Sequence, residues 1–299
     1  MQKLRRVVLD KMIEARLTAL QVDMMVYLSR YQNDDGSVSG VYYRDVCRDT
    51  GMSNQSFYNV LRSLRDKGLI EMQKNSSSDW DIRILDNDCS DQRMIGKQYI
   101  NTNQGMFYSP VFAKMKGPEK LLSMFFLRRC GENHGGFRKS AKDFIEDLTK
   151  DFEITKRMLI LYLKKVKAFF SIGRKNNMYY ITARKATTQK LTSEEARLNR
   201  HLVLTACRRL GIRDASESSI RETANLPAQY KRVIRKKQAE TQNVPSIYDA
   251  IRGALMIQDE PGREGSRGLP DKLVHKVFRS LLGLEHFRDY MYLPEEENK

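Results

Sequence analysis

Gln55, Tyr58, Asn59 and Arg62 recur at three- and four-residue spacing, which puts them on one face of an α-helix. Two amides, a phenol and a guanidinium carry hydrogen-bond donors and acceptors in directed sets. Side-chain amides match the major-groove edge of adenine and guanidinium groups match that of guanine. The opposite face carries Phe57, Val60, Leu61 and Leu64 at i, i+3, i+4 and i+7, the stripe of a helix that packs on a core. A solvated polar face with no ligand is the plain alternative.

The neighbouring residues fix how such a helix would be held. "VYYRDVCRDTGMS" (Val41 to Ser53) predicts a short helix, a turn at Gly51 and the cap of the next helix at Ser53. Glycine takes the left-handed C′ position at little cost, and serine is a strong N-cap. After Gly68, "LIEMQ" and "DWDIRIL" alternate as two strands around the polar tip "KNSSSD" (Lys74 to Asp79). Upstream, Thr18 and Gln21 open an apolar helix with a capping-box pattern.

Helix, helix–turn–helix and β-hairpin in that order resemble the winged-helix family of DNA-binding domains, over about Leu17 to Leu85. The resemblance implies a recognition helix at Asn54 to Lys67 and a wing at Asn75 to Asp79. It places Ser53, Asn54, Gln55, Tyr58, Asn59, Arg62 and Lys74 toward DNA, in a groove about 12 Å wide that admits one helix.

The second half repeats the plan about 100 residues on. "GPEKLLSMFFLRRC" from Gly117 corresponds to "LTALQVDMMVYLSR" from Leu17. Ser140 and Thr155 cap two further helices, and Leu159, Tyr162, Leu163 and Val166 repeat the apolar stripe. "AFFSIG" and "MYYITA" are strands joined by a tip holding Arg174, Lys175, Asn176 and Asn177. Charge separates the halves. From Ile154 to Lys190 there are 37 residues with ten Lys or Arg and no Asp or Glu, whereas Asn54 to Leu85 holds five basic and four acidic residues. By the same resemblance Lys156, Arg157, Lys164, Lys165, Arg174, Lys175 and Asn176 face the duplex. Cations there would hold phosphates and release counterions, so the first unit suits base reading and the second suits backbone holding.

Composition agrees with a polyanionic partner. The 299 residues carry 53 Lys and Arg against 37 Asp and Glu, a net charge of +16, and the isoelectric point is about 9.6. The expected architecture is mainly α with small β-wings: an N-terminal winged helix with a leading helix over 1–88, a flexible linker over 89–110, a strongly basic winged helix over 111–190, and a helical domain over 191–299. "MQKLRRVVLDKMIEARL" reads as an amphipathic helix that packs on the first unit or pairs two chains, not as a signal peptide. No run approaches the 18 apolar residues of a membrane span.

In the C-terminal domain, Thr192 and Glu195 form a capping box opening a helix that ends near Gly211, and Pro227 starts a basic helix. A three-helix bundle for a homodimer contact or a protein partner is expected there, with further helices at "IYDAIRGALMI" and "KLVHKVFRSLLGLEHFRDYMYL". "DEPGREGSRG" (Asp259 to Gly268) reads as a loop and "EEENK" as a solvated tail.

Catalytic and metal chemistry find little support. Phosphate-loop, dinucleotide and nucleophile-elbow motifs are absent. Cys47, Cys89, Cys130 and Cys207, like His134, His201, His275 and His286, lack the paired spacing of structural zinc. "NHGGF" (Asn133 to Phe137) reads as a turn, and His286, Arg288 and Tyr290 as ordinary helix residues. The expectation is a cytoplasmic, cofactor-free, non-catalytic protein that binds double-stranded DNA as a transcription regulator. The tandem units also resemble replication initiators of plasmids and mobile elements, and a winged-helix protein scaffold is the third class.

Overall fold

The computed structural model describes residues 2–75, 79–90, 98–190, 194–240, 244–258 and 268–284. The chain divides into two units, Met1–Glu194 and Glu195–Lys299. It is mostly helical with small antiparallel sheets.

Two successive arrays in the first unit have the same element order. The first is α2 (Ala19–Tyr31), β2 (Ser37–Tyr42), α3 (Tyr43–Thr50), α4 (Asn54–Asp66), β3 (Ile70–Lys74) and β4 (Asp79–Ile84). Ahead of it lie β1 (Lys3–Arg5) and α1 (Arg6–Glu14). The second array is α6 (Gly117–Glu132), β6 (Gly136–Ser140), α7 (Ala141–Asp151), α8 (Lys156–Val166), β7 (Phe170–Lys175) and β8 (Met178–Ala183). In each, the last strand sits in the middle of a three-stranded sheet, giving the orders β2-β4-β3 and β6-β8-β7.

Local chemistry sets these elements. Thr18 and Gln21 form the capping box of α2, with the Thr18 N–H donating to Gln21 Oε1 at 2.9 Å. Gly51 takes φ 73° at the end of α3. Asn176 and Asn177, at φ 47° and 56°, close the β7–β8 hairpin. Two positive φ values in a two-residue loop make the type I′ turn that matches strand twist.

Sequence periodicity missed β2 and β6. Each is short, glycine-bearing and partly exposed, so its alternation is weak. β2 bulges between Val38 and Val41, where the Gly40 N–H donates to Asp81 Oδ1 at 2.9 Å. β6 begins at Gly136, inside the stretch expected to be only a turn.

The expected linker differs most from expectation. A short strand is expected at "KQYIN" (97–101), and β5 (Tyr99–Asn101) lies there and pairs with β1, but residues 98–110 also include a 3-10 turn at Gly105–Tyr108. Then α5 (Pro110–Ala113) leads into α6. Met106, Phe107 and Phe112 are buried anchors, and the Ser29 hydroxyl donates to Thr102 Oγ1 at 2.9 Å. The Gly105 N–H donates to Gln189 O at 2.9 Å, joining this stretch to α9 (Lys185–Thr188). The polar residues that suggested flexibility are instead used as hydrogen-bonding partners. Residues 91–97 lie outside the described residues.

One hydrophobic core therefore runs through both arrays, from Leu4 to Ile181. The leading helix α1 buries Val8, Leu9, Met12 and Ile13 in it. Lys120 of α6 is 0% exposed and bonds both Asp23 carboxylate oxygens of α2, at 2.5 and 2.6 Å. Burial pushes the Asp23 carboxyl up, and the Lys120 ammonium opposes that push. A Cβ on Gly117 would lie 2.2 Å from Leu17 O, so α6 starts against the backbone that opens α2. Arg16 and Glu153 form an exposed ion pair between the arrays.

The second unit contains α10 (Glu194–Arg209), α11 (Glu217–Gln229), α12 (Lys231–Glu240), α13 (Ile247–Gln258) and α14 (Asp271–Leu281). Val203, Ile220, Ala224, Ile251, Val274 and Phe278 are among its core residues. The last two of these helices fall on the two stretches expected to be helices beyond the three-helix bundle. Pro227 lies inside α11 rather than at the start of the next helix. The break falls at Tyr230, whose buried ring packs on Phe278 and His275 at centroid distances of 6.0 and 5.7 Å. Tertiary anchoring, not the proline, sets that boundary. Thr192, most of the 259–268 loop, His286, Arg288, Tyr290 and the acidic tail lie outside the described residues.

Candidate nucleic-acid interface

Helix α4 forms where its sequence pattern places it. The Ser53 hydroxyl accepts from the Ser56 N–H at 3.2 Å, satisfying one of the free donors of the first turn. Phe57, Val60, Leu61 and Leu64 are buried. That packing leaves Ser53, Asn54, Gln55, Tyr58, Asn59 and Arg62 exposed. The Gln55 Nε2 amide donates to Asn59 Oδ1 at 3.2 Å. The pair is held as one amide surface, leaving a carbonyl oxygen on Gln55 and an NH2 on Asn59 for a partner. The cation of Lys67, at the end of α4, is used internally, donating to Ala15 O at 2.7 Å.

An aromatic cluster beside this face was not anticipated from sequence. The Tyr58 ring is 6.4 Å from Tyr43, which is 5.0 Å from Tyr42. Arg44 donates from Nε to the Tyr43 hydroxyl at 3.1 Å, with its guanidinium 5.8 Å from the ring centre. The Tyr-Tyr-Arg run at the start of α3 was its only signal. Lys74 is exposed at the end of β3, opposite Trp80 in the register. Residues 76–78 of the first hairpin tip lie outside the described residues.

Helix α8 repeats the cap and stripe of α4 with its own residues. The Thr155 hydroxyl accepts from the Met158 N–H at 3.3 Å, as Ser53 does from Ser56. Leu159, Leu163 and Val166 are buried and Tyr162 is half-buried. Caps and stripes correspond at an offset of 102 residues. Gln55, Tyr58, Asn59 and Arg62 then correspond to Arg157, Ile160, Leu161 and Lys164.

Lys156, Arg157, Lys164, Lys165, Arg174, Lys175 and Asn176 are all exposed. Among the described residues no ion pair engages these cations, whereas Lys139 pairs with Asp147. Lys164 and Lys165 also complement the carbonyl end of α8. At the hairpin tip, Arg174 donates to Asn177 Oδ1 at 3.0 Å, and its guanidinium is 5.9 Å from the Tyr179 ring centre. The tip cations are thus carried on a turn of fixed shape.

Burial pushes the thiols of Cys130 and Cys207 up to about 11, so both are protonated at neutral pH. Among the described residues no cluster of His, Cys, Asp or Glu could hold a metal ion, and no helix is long and apolar enough to cross a membrane.

No protein-family model, curated protein or solved structure matches the chain.

Proposed function

We propose that the first unit is a pair of winged helices and that the chain is a sequence-specific double-stranded DNA-binding protein, acting as a transcription regulator. The observation that carries this reading is the correspondence of α4 and α8. Each is a capped helix that buries one stripe, presents the opposite face to solvent and runs into a β-hairpin. One face carries paired amides and an arginine. The other is flanked by cations in a stretch without a carboxylate.

Cations left unpaired on a surface suit a polyanion. The first face supplies the directed hydrogen bonds that discriminate bases, and the second supplies charge for phosphates. A shared core gives the two faces one rigid support.

The doubled topology favours a second reading, a replication initiator of a plasmid or mobile element, since two linked readers suit repeated sites. Selection of duplexes from a random pool by the full chain tests the proposal. Enrichment of a defined site, with single strands competing poorly, is expected. Failure to enrich any sequence refutes sequence-specific binding. A site that recurs as an array of direct repeats near the gene favours the initiator, and a single operator-like site favours the regulator.

A further inference from the structure

The two candidate reading helices differ in one chemical respect. Where α4 presents Tyr58 and Asn59, α8 presents Ile160 and Leu161, at 45% and 52% exposure, with Met158 beside them at 40%. Among the described residues nine large hydrophobic side chains are exposed, and three of them fall within four positions of this one helix. Single exposed apolar residues need no explanation, but a cluster does.

The flanks of the cluster are cationic. Arg157 lies one turn before Leu161, and Lys164 and Lys165 lie one turn after it. A matching partner has small apolar groups set between two rows of negative charge. The major groove of an A·T-rich duplex has that form. The thymine C5-methyl is the apolar group on its floor, and phosphates line both walls.

We infer that α8 reads thymine methyl groups, so that the second array selects A·T-rich sequence by apolar contact while the first array reads base edges by hydrogen bonding. The inference rests on the DNA-binding reading proposed above. It predicts a preference for A·T over G·C pairs, because cytosine carries no C5-methyl for Ile160 and Leu161 to cover.

Replacing thymidine by deoxyuridine removes the methyl group and leaves the Watson–Crick edge intact. The full chain would be titrated against its selected duplex and against the same duplex with deoxyuridine in the half-site of the second array. Burial of one methyl corresponds to about a fourfold change in affinity. The expected result is about fourfold weaker binding for each contacted methyl removed. That difference should vanish in Leu161→Ala combined with Ile160→Ala and persist in Asn59→Ala. Both sets of side chains are exposed, and circular dichroism checks that the variants fold.

Equal binding of the two duplexes by the unaltered chain overturns the inference and leaves DNA binding intact; the apolar face then belongs to a protein contact. A chain that binds no duplex at all overturns both readings. A methyl effect that survives in the double variant overturns the assignment to α8.

Discussion

Removing the Asp23 carboxylate should destabilise the two arrays together. Lys120 is fully buried, and Asp23 retains 18% side-chain exposure. In Asp23→Ala a buried ammonium loses its counter-charge, which costs about 3–5 kcal/mol. In Lys120→Met the carboxylate left behind reaches water and takes a proton readily, because burial already pushes its pKa up. That loss should be smaller, about 1–3 kcal/mol. Replacing both residues by apolar ones, Asp23→Leu with Lys120→Met, should recover most of the stability. A unit of this size shifts its melting midpoint by about 2–4 °C per kcal/mol, so Asp23→Ala should melt roughly 6–20 °C lower. Urea unfolding followed by both Trp80 fluorescence and far-ultraviolet circular dichroism provides the assay. Trp80 is the single tryptophan and lies in the first array. Losses under about 1 kcal/mol for both single variants would refute the reasoning, and so would a Trp80 transition that Lys120→Met leaves unchanged.

Three further outcomes are expected. Gly117→Ala should destabilise the first unit by about 1–3 kcal/mol, because the added carbon meets the Leu17 carbonyl and backbone atoms cannot swing aside; an unchanged urea midpoint would contradict this. Asn59→Ala should weaken binding to the selected duplex by about 1–3 kcal/mol and leave random duplex nearly unaffected, and equal losses on both would show that α4 does not read bases. Burial first, and then the Arg279 charge, hold the His275 imidazole below its ordinary value. The folded form therefore binds fewer protons than the unfolded chain. This contribution to the second unit is present above about pH 6.5 and is lost as pH falls through that value toward the lower folded pKa. His275→Gln should flatten the acid limb of a melting-temperature profile, and an unchanged profile would remove His275 from the account.

The helices of the first unit were legible because their signals are local. Ser53, Thr155, Gly51 and the stripes at Phe57 and Leu159 each act within one or two turns of chain. β2 and β6 were not legible, because a short edge strand is stabilised mainly by its neighbour. Val38 and Val41 are recognisable as core only once Ile82 and Trp80 lie opposite them. The linker misled for a related reason. The Thr102 hydroxyl meets Gln2 O and the Ser29 hydroxyl, partners about 100 and 73 residues away, and nothing local marks such contacts.

The candidate interface shows the same division. The amide face of α4 followed from spacing, and the cations of α8 from a stretch of 37 residues without Asp or Glu. The Tyr42–Tyr43–Tyr58 cluster needed α3 placed against α4. The apolar centre of α8 needed the packing that distinguishes Leu159 and Leu163, which are buried, from Ile160 and Leu161, which are not.

The most direct test of DNA binding by two cooperating faces is the slope of log affinity against log salt. It would be measured for the full chain and for Arg174→Ala with Lys175→Ala, on the selected duplex and on random duplex. Each phosphate contact contributes about 0.9 to the slope. The account predicts a steep slope that flattens by roughly two units in the double variant on both duplexes, with the affinity ratio between them preserved. An unchanged slope would contradict it, because the second hairpin would then lie away from the phosphates.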